Sequence, residues 1–405
     1  MKDRARYDWA FAIALATMAY VFALSGGNLP LLVIAQGSVM LIAVLGFMFP
    51  SYSSLRRENA VWLSVLSVAM FSAILFNTGN YSETSVSVEF ALVHIGGVIG
   101  MLFALQWAAT HLMAQRVLRN LAYLLTPLVM FAIAISLTSG DLASRQSPLD
   151  IHPNWWGEIG FALTACALAM PRWWARAVPI AAAAMLFFLV QSRGALLAAF
   201  SSIVIYLLLS TRWHRLLNPS RLAIVSALAT FAGVTFLVHQ HHTIQAWLFI
   251  RDDVLLWNNP YRGVDSGLTG RLSGWKEALD IFMAQPVLGQ GIDTLTDVHN
   301  GLLRLAGEGG LMLLLAMGSF IGIGLRNALK AKNHLAVSIM LGYLIYAMTY
   351  PRMLNMNLAA VVFYLSVFPW KMYSSRQLNQ HSLPAHIVRQ SGLPPRTTHK
   401  LKVDA

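Results

Sequence analysis

The sequence predicts an all-α, polytopic membrane protein of about twelve transmembrane helices, with both termini in the cytoplasm and one long loop on the opposite side. Three observations carry this reading. Apolar residues make up 57% of the 405 residues and charged residues only 11%, against roughly 25% charged in an ordinary globular domain. Apolar runs close to the roughly 20 residues that cross a bilayer recur along almost the whole chain. The basic residues fall in alternate connections, as they do when Lys and Arg stay on the cytoplasmic side.

The runs fall near residues 9–25, 29–49, 60–77, 91–109, 121–138, 156–170, 177–191, 195–210, 222–238, 302–325, 335–350 and 358–370. The first follows a short basic segment, Met1 to Tyr7, and has no clear small-residue cleavage site, so it reads as a retained helix rather than a signal peptide. Several runs are short, which requires their flanks to extend or the bilayer to thin. With the N-terminus inside, the connections holding Arg56 and Arg57, Arg116 and Arg119, Arg172 and Arg176, Arg212, Arg215 and Arg221, and Arg326, Lys330 and Lys332 are all cytoplasmic. One missed span would invert every later loop, so the regular alternation supports the whole set. Residues 1–370 read as a single transmembrane domain. Residues 371–405 are polar, carry Pro384, Pro394 and Pro395, and read as a flexible cytoplasmic tail.

The formal charge of +12 points to anionic lipid headgroups rather than nucleic acid, because the charges sit between apolar runs. Cys166, the one cysteine, excludes a disulfide framework and a cysteine metal site. Mid-span polar content is low, with His94 the main ionisable residue.

The exceptions to the charge rule are Arg145, Arg193, Arg251, Arg262, Arg271, Lys276, Arg304 and Arg352, which fall on the non-cytoplasmic side or near that end of a helix. Solvated loops or interfacial anchoring account for such residues in general, but not for Arg193, Arg271 and Arg352. Residues 239–301 form the longest connection, and long loops are often functional. Within it Leu272, Trp275, Ala278, Leu279 and Phe282 recur at helical spacing until Pro286, Gly289 and Gly291 break the pattern. This is an interfacial helix lying on the membrane or on the bundle.

Three motifs are candidates for chemistry. Ser192-Arg193-Gly194 interrupts a long apolar stretch, so the chain turns there and leaves Arg193 at the membrane face. An arginine between two spans is costly to bury and suits phosphate oxygens in a polar cavity. Gly263 to Arg271 is a glycine-rich turn, with Gly270 last, that delivers Arg271 to the start of the amphipathic helix. Guanidinium and helix N-terminus together make an anion site. His299-Asn300, followed by Glu308-Gly309-Gly310, lies where the long loop re-enters the membrane. A histidine there suits proton transfer near neutral pH, and Glu308 either pairs with an arginine or fixes the helix. His239, His241 and His242 have no carboxylate or cysteine at ligand spacing. The chain also has no Asp-x-Asp pair and no Gly-x-Gly-x-x-Gly turn. No metal or other cofactor is expected.

These motifs together resemble the O-antigen ligase and polymerase superfamily of bacterial envelope proteins. The resemblance rests on Ser192-Arg193-Gly194-Ala195-Leu196-Leu197-Ala198, on Gly267-Leu268-Thr269-Gly270-Arg271 with Trp275, on Pro286-Val287-Leu288-Gly289-Gln290-Gly291, and on His299-Asn300 with Glu308-Gly309-Gly310. It implies a metal-independent glycosyltransferase of the bacterial inner membrane. Such a protein moves a glycan from undecaprenyl diphosphate to lipid A-core or to a growing polysaccharide at the periplasmic face. Arg193 and Arg271 match the family's arginines that contact the diphosphate, with Arg352 a further candidate, and His299 matches the histidine that helps deprotonate the acceptor hydroxyl. Gly270, Asn300, Glu308 and Gly310 are supporting positions. The sequence departs at Leu313, where the family often has a small residue or tyrosine. The modest length and single dominant loop lean towards a ligase, with a repeat-unit polymerase and a protein-glycosylating branch as alternatives. Twelve spans also suit a polysaccharide transporter or flippase, which would show paired charges around a central cavity.

Overall fold

The computed structural model describes residues 2–24, 57–81, 87–138, 146–210, 271–295, 298–350, 353–354 and 356–369. The predicted runs 29–49 and 222–238, loop residues 239–270 with Gly270, Arg145, Arg352 and the tail from 371 lie outside them. Regular structure among the described residues is helical, without a strand. In chain order the helices are α1 (Lys2–Leu24), α2 (Arg57–Leu75), α3 (Thr78–Tyr81), α4 (Val88–His111), α5 (Ala114–Thr138), α6 (Pro153–Ala167), α7 (Trp173–Val190), α8 (Arg193–Ser210), α9 (Arg271–Ala284), α10 (Gly301–Lys330), α11 (His334–Ala347) and α12 (Leu358–Val367).

Every predicted run that falls on described residues is a helix. Several helices start earlier than hydropathy indicates: α5 begins at Ala114 rather than near residue 121. Its first turns carry Arg116 and Arg119, so an apolar scan sees only the part that needs lipid. Helices α4 (to Ala109), α5, α7, α8 and α10 are long and apolar enough to cross a membrane, while α1, α2, α11 and α12 carry shorter apolar stretches. Large apolar side chains face outward on several of them, with Trp173 80%, Val93 67% and Phe200 62% exposed. Apolar surface on this scale suits lipid rather than water. The chain is a helical membrane protein.

All ten residues of α12 are buried. It runs through the middle of the bundle, touching α1, α4, α6, α10 and α11. Tyr343 of α11 stacks on Phe363 of α12 with ring centroids 4.3 Å apart, and Phe161 of α6 stacks on Tyr346 at 5.8 Å. Helix α11 lies close along α8 because Gly342 has no side chain: a Cβ there would sit 1.7 Å from Ser202 Oγ. Small residues at such crossings let apolar helices approach where lipid supplies no hydrophobic drive.

Helix α10 is interrupted. Gly310 adopts φ 61° and ψ −161°, which breaks the hydrogen-bond ladder into two segments. Residues 286–291 fill the break. The amides of Gln290 and Gly291 donate to the carbonyls of Gly307 (2.8 Å) and Glu308 (2.9 Å) at the end of the first segment. The carbonyls of Pro286 and Val287 accept from the amides of Leu311 (2.7 Å) and Met312 (3.2 Å) at the start of the second. One loop therefore closes both exposed helix ends. The fit requires glycine on each side: a Cβ on Gly310 would lie 2.4 Å from the Val287 backbone, and one on Gly289 2.5 Å from that of Glu308.

The short α3 region holds the loop from behind. Asn77 Nδ2 donates to Leu288 O (3.4 Å), Asn80 Nδ2 to Gln290 O (2.9 Å) and Tyr81 Oη to Ile292 O (2.8 Å). Burial, then the nearby Glu308 and Asp293 carboxylates, push the Tyr81 hydroxyl well above its ordinary pKa, so it remains a neutral donor.

Gly310→Ala adds both a collision and a left-handed alanine, at a cost of about 1–3 kcal/mol for the backbone alone. The variant is expected to unfold several degrees below wild type in detergent, measured by fluorescence-detected size-exclusion after heating. An unchanged midpoint would show that the loop does not set the break.

Candidate functional site

The Ser-Arg-Gly motif forms a tight reversal between α7 and α8. Gln191 takes a left-handed conformation (φ 49°, ψ 42°) and donates its amide to Phe188 O. The Ser192 carbonyl then accepts from the Leu196 amide at 3.0 Å, which starts α8. Both neighbours of Arg193 are pinned. Ser192 is buried against Gly157 of α6, where a Cβ would lie 2.2 Å from its hydroxyl, and Gly194 packs on Thr349, where a Cβ would lie 2.1 Å from Oγ1. Arg193, between them, is left half-buried and borders a cavity.

His299 is delivered by a different construction. Asn300 caps α10, its Oδ1 accepting from the amides of Leu302 and Leu303, each at 3.1 Å. Gly301 lets that end press against Met353 and the Tyr350 carbonyl. Arg271, the first described residue of α9, comes from the long loop. Helix α9 packs on the first segment of α10 through Gly274 and Ala278, with Leu295 and Val298 around Ala278. Of the expected apolar face, Ala278 and Trp275 meet the bundle, while Leu272 and Leu279 are 54% and 50% exposed. Small side chains allow the close approach, with Trp275 and Ile281 packed beside them and Leu272 and Leu279 facing outward.

Arg193, Arg271 and His299 line one cavity of about 250 Å³. His152 and Asn154 from the start of α6, and Tyr346, Thr349 and Tyr350 from the end of α11, complete much of its wall. Three helices, α6, α8 and α10, begin at this cavity, so the positive ends of their dipoles add to the guanidinium charges. No carboxylate is among its described lining residues. The arrangement sets two guanidinium groups and an imidazole around one cavity.

Behind the cavity lies a buried polar cluster. Arg304 Nε donates to Glu308 Oε1 at 2.7 Å and its Nη2 to Asp293 Oδ1 at 3.3 Å. His94 Nδ1 pairs with Asp293 Oδ2, and the Leu295 amide reaches Glu308 Oε1 at 3.4 Å. Glu308 therefore does pair with an arginine. Two sequence readings are corrected here. Arg304 is only 3% exposed, so it is neither a solvated residue nor an interfacial anchor. The helices are also richer in buried ionisable groups than His94 alone, since Glu158, Arg304 and Glu308 are all buried. The cluster ties α4 to α10 and to residues 293–295, four to six positions before His299.

Sequence reasoning missed His152, Tyr346, Thr349 and Tyr350 as cavity residues and Asp293 as a partner. His152 and Asn154 flank a proline next to an apolar run, a usable helix-start signal. The tyrosines sit in apolar runs and carry no local signal.

Arg304→Met leaves two buried carboxylates without their guanidinium, a loss expected to cost about 3–5 kcal/mol. It should strongly reduce folded protein, and adding Glu308→Gln should recover part of it. Equal yields of the single and double variants would show that the two residues are not coupled.

Among curated proteins, none matches this chain. Residues 178–318, which include Arg193, Arg271, His299 and the α10 break, match the family model described as O-antigen ligase, so this stretch of the chain is similar to that family.

Proposed function

We propose that the protein is a ligase that transfers a glycan from undecaprenyl diphosphate to lipid A-core at the periplasmic face of the bacterial inner membrane. The observation that supports this most is the shared cavity of Arg193, Arg271 and His299. In this reading the two guanidinium groups bind the donor diphosphate, with Arg352 a further candidate. The acceptor hydroxyl attacks the anomeric carbon while His299 takes its proton. The sugar–phosphate bond breaks, and the electron pair leaves with the lipid diphosphate. Negative charge grows on the leaving oxygens, where fixed cations and helix N-termini stabilise it most. No metal enters this scheme.

Transport is less well supported. Paired charges are present, but His94, Asp293, Arg304 and Glu308 satisfy one another beside the loop that carries His299. Helical packing around α12 surrounds a buried aromatic and apolar core.

Deletion of the gene should leave long lipid-linked glycans unattached and lipid A-core bare. Accumulation of single repeat units would indicate a polymerase instead, and normal surface glycan would remove both readings. In the deletion strain, Arg193→Ala, Arg271→Ala and His299→Ala should each insert normally and lower transfer about 100-fold or more. Full activity in any one of them would take that residue out of the mechanism.

The orientation has its own test. A reporter fused after Asn259 should read as periplasmic, and a cytoplasmic signal there would overturn the topology.

A further inference from the structure

Two arginines stand one turn apart at the start of α7, and their surroundings differ. Arg176 is held within the bundle. Its Nε donates to Met170 O at 2.6 Å, its Nη2 donates to Tyr206 Oη at 3.3 Å, and its guanidinium lies 5.2 Å from the Tyr206 ring centroid. It thereby joins the chain leaving α6 to α8. Arg172 does none of this. Its side chain is exposed, makes no hydrogen bond or ion pair among the described residues, and lies 5.5 Å over the ring of Trp174. Trp174 and its neighbour Trp173 are themselves 56% and 80% exposed.

Helix α7 sets the depth of this group. Its 18 residues, Trp173–Val190, are long and apolar enough to cross a membrane. At 1.5 Å per residue they extend about 27 Å, close to the roughly 30 Å of a hydrocarbon core. Val190 leads into Gln191 and Arg193 at the cavity, so Trp173 and Trp174 stand at the opposite boundary between lipid and water. Indole rings settle at headgroup level there. The planar fork of an arginine matches two phosphate oxygens, and cation–π attraction to Trp174 restricts where that fork lies. A zwitterionic headgroup already carries a cation for its phosphate. An anionic headgroup does not, and it is the complement of an arginine without a carboxylate partner.

We propose that Arg172, Trp173 and Trp174 bind the headgroup of an anionic phospholipid at the membrane surface opposite the cavity. Arg172 takes the phosphate, and the two indoles flank the glycerol and the upper acyl chains. This is independent of what the cavity binds and needs only that α7 crosses the membrane. A lipid held there fixes the depth of the helix whose other end leads into Arg193.

The test separates a site from general positive charge. Full-length protein in lipid-free detergent is titrated with dioleoyl phosphatidylglycerol or dioleoyl phosphatidylcholine. Bound lipid is read by native mass spectrometry, and each variant is melted in parallel. Wild type should bind phosphatidylglycerol about fivefold more tightly than phosphatidylcholine. Arg172→Gln should melt with wild type and lose that preference, whereas Arg172→Lys should keep most of it. Trp174→Leu should weaken phosphatidylglycerol binding about threefold, because the ring beneath the guanidinium is gone. Lys330→Gln removes the same charge from an exposed position at the end of α10 and should change nothing. Equal binding of the two lipids by wild type, an intact preference in Arg172→Gln, or an equal loss in Lys330→Gln would overturn the proposal. So would a wild-type dimer in lipid-free detergent that Trp173→Ser with Trp174→Ser makes monomeric, since a second copy would then cover this face.

Discussion

At Gly310 the backbone of α10 turns out of helical conformation inside a helix otherwise apolar enough to cross a membrane. A break of that kind frees carbonyls on one side and amides on the other, and hydrocarbon cannot satisfy either. Residues 286–291 supply the missing partners with their own backbone, two donors and two acceptors, so helix and loop complete each other. The rest of the site depends on this exchange. Once 286–291 is seated, the chain that follows must run past Asp293 to Asn300, and His299 is carried to its place. Asn77, Asn80 and Tyr81 bind alternate carbonyls of the same loop and join α2 to it.

Electrostatics divides this end of the molecule into two parts. The buried cluster of His94, Asp293, Arg304 and Glu308 pairs its charges internally and serves as a rigid support. Its formation offsets the desolvation that each member would otherwise incur alone. In the cavity Arg193 and Arg271 stand with the N-termini of α6, α8 and α10, and no described lining residue is a carboxylate. The paired cluster is thus set apart from the cavity that Arg193, Arg271 and His299 line.

Much of this was legible in the sequence. Apolar runs located the helices, because a bilayer imposes the same length and polarity requirement on each. Arg193 and Arg271 stood out as charges on the side where the topology signal allows few. The glycines of residues 286–291 and 308–310 stood out as breaks in helical periodicity. Their relation to each other did not, since nothing local says that Gly289 and Gly310 fill one another's space. Arg304 was misread for a similar reason: its exposure depends on Asp293, which no helical spacing connects to it.

By itself, the sequence determined an all-α membrane architecture, the residues that breach the charge rule and the order of the motifs. These follow from short-range properties: hydropathy over a span, helical periodicity and the conformations open to glycine. Tertiary structure alone decided that Arg193, Arg271 and His299 share a cavity, that His152 joins them, and that the face of α9 meeting the bundle is Gly274 and Ala278 rather than Leu272 and Leu279. Those outcomes depend on how closely separate helices can approach. Side chains far apart in the chain settle that together, and no window of neighbouring residues contains it.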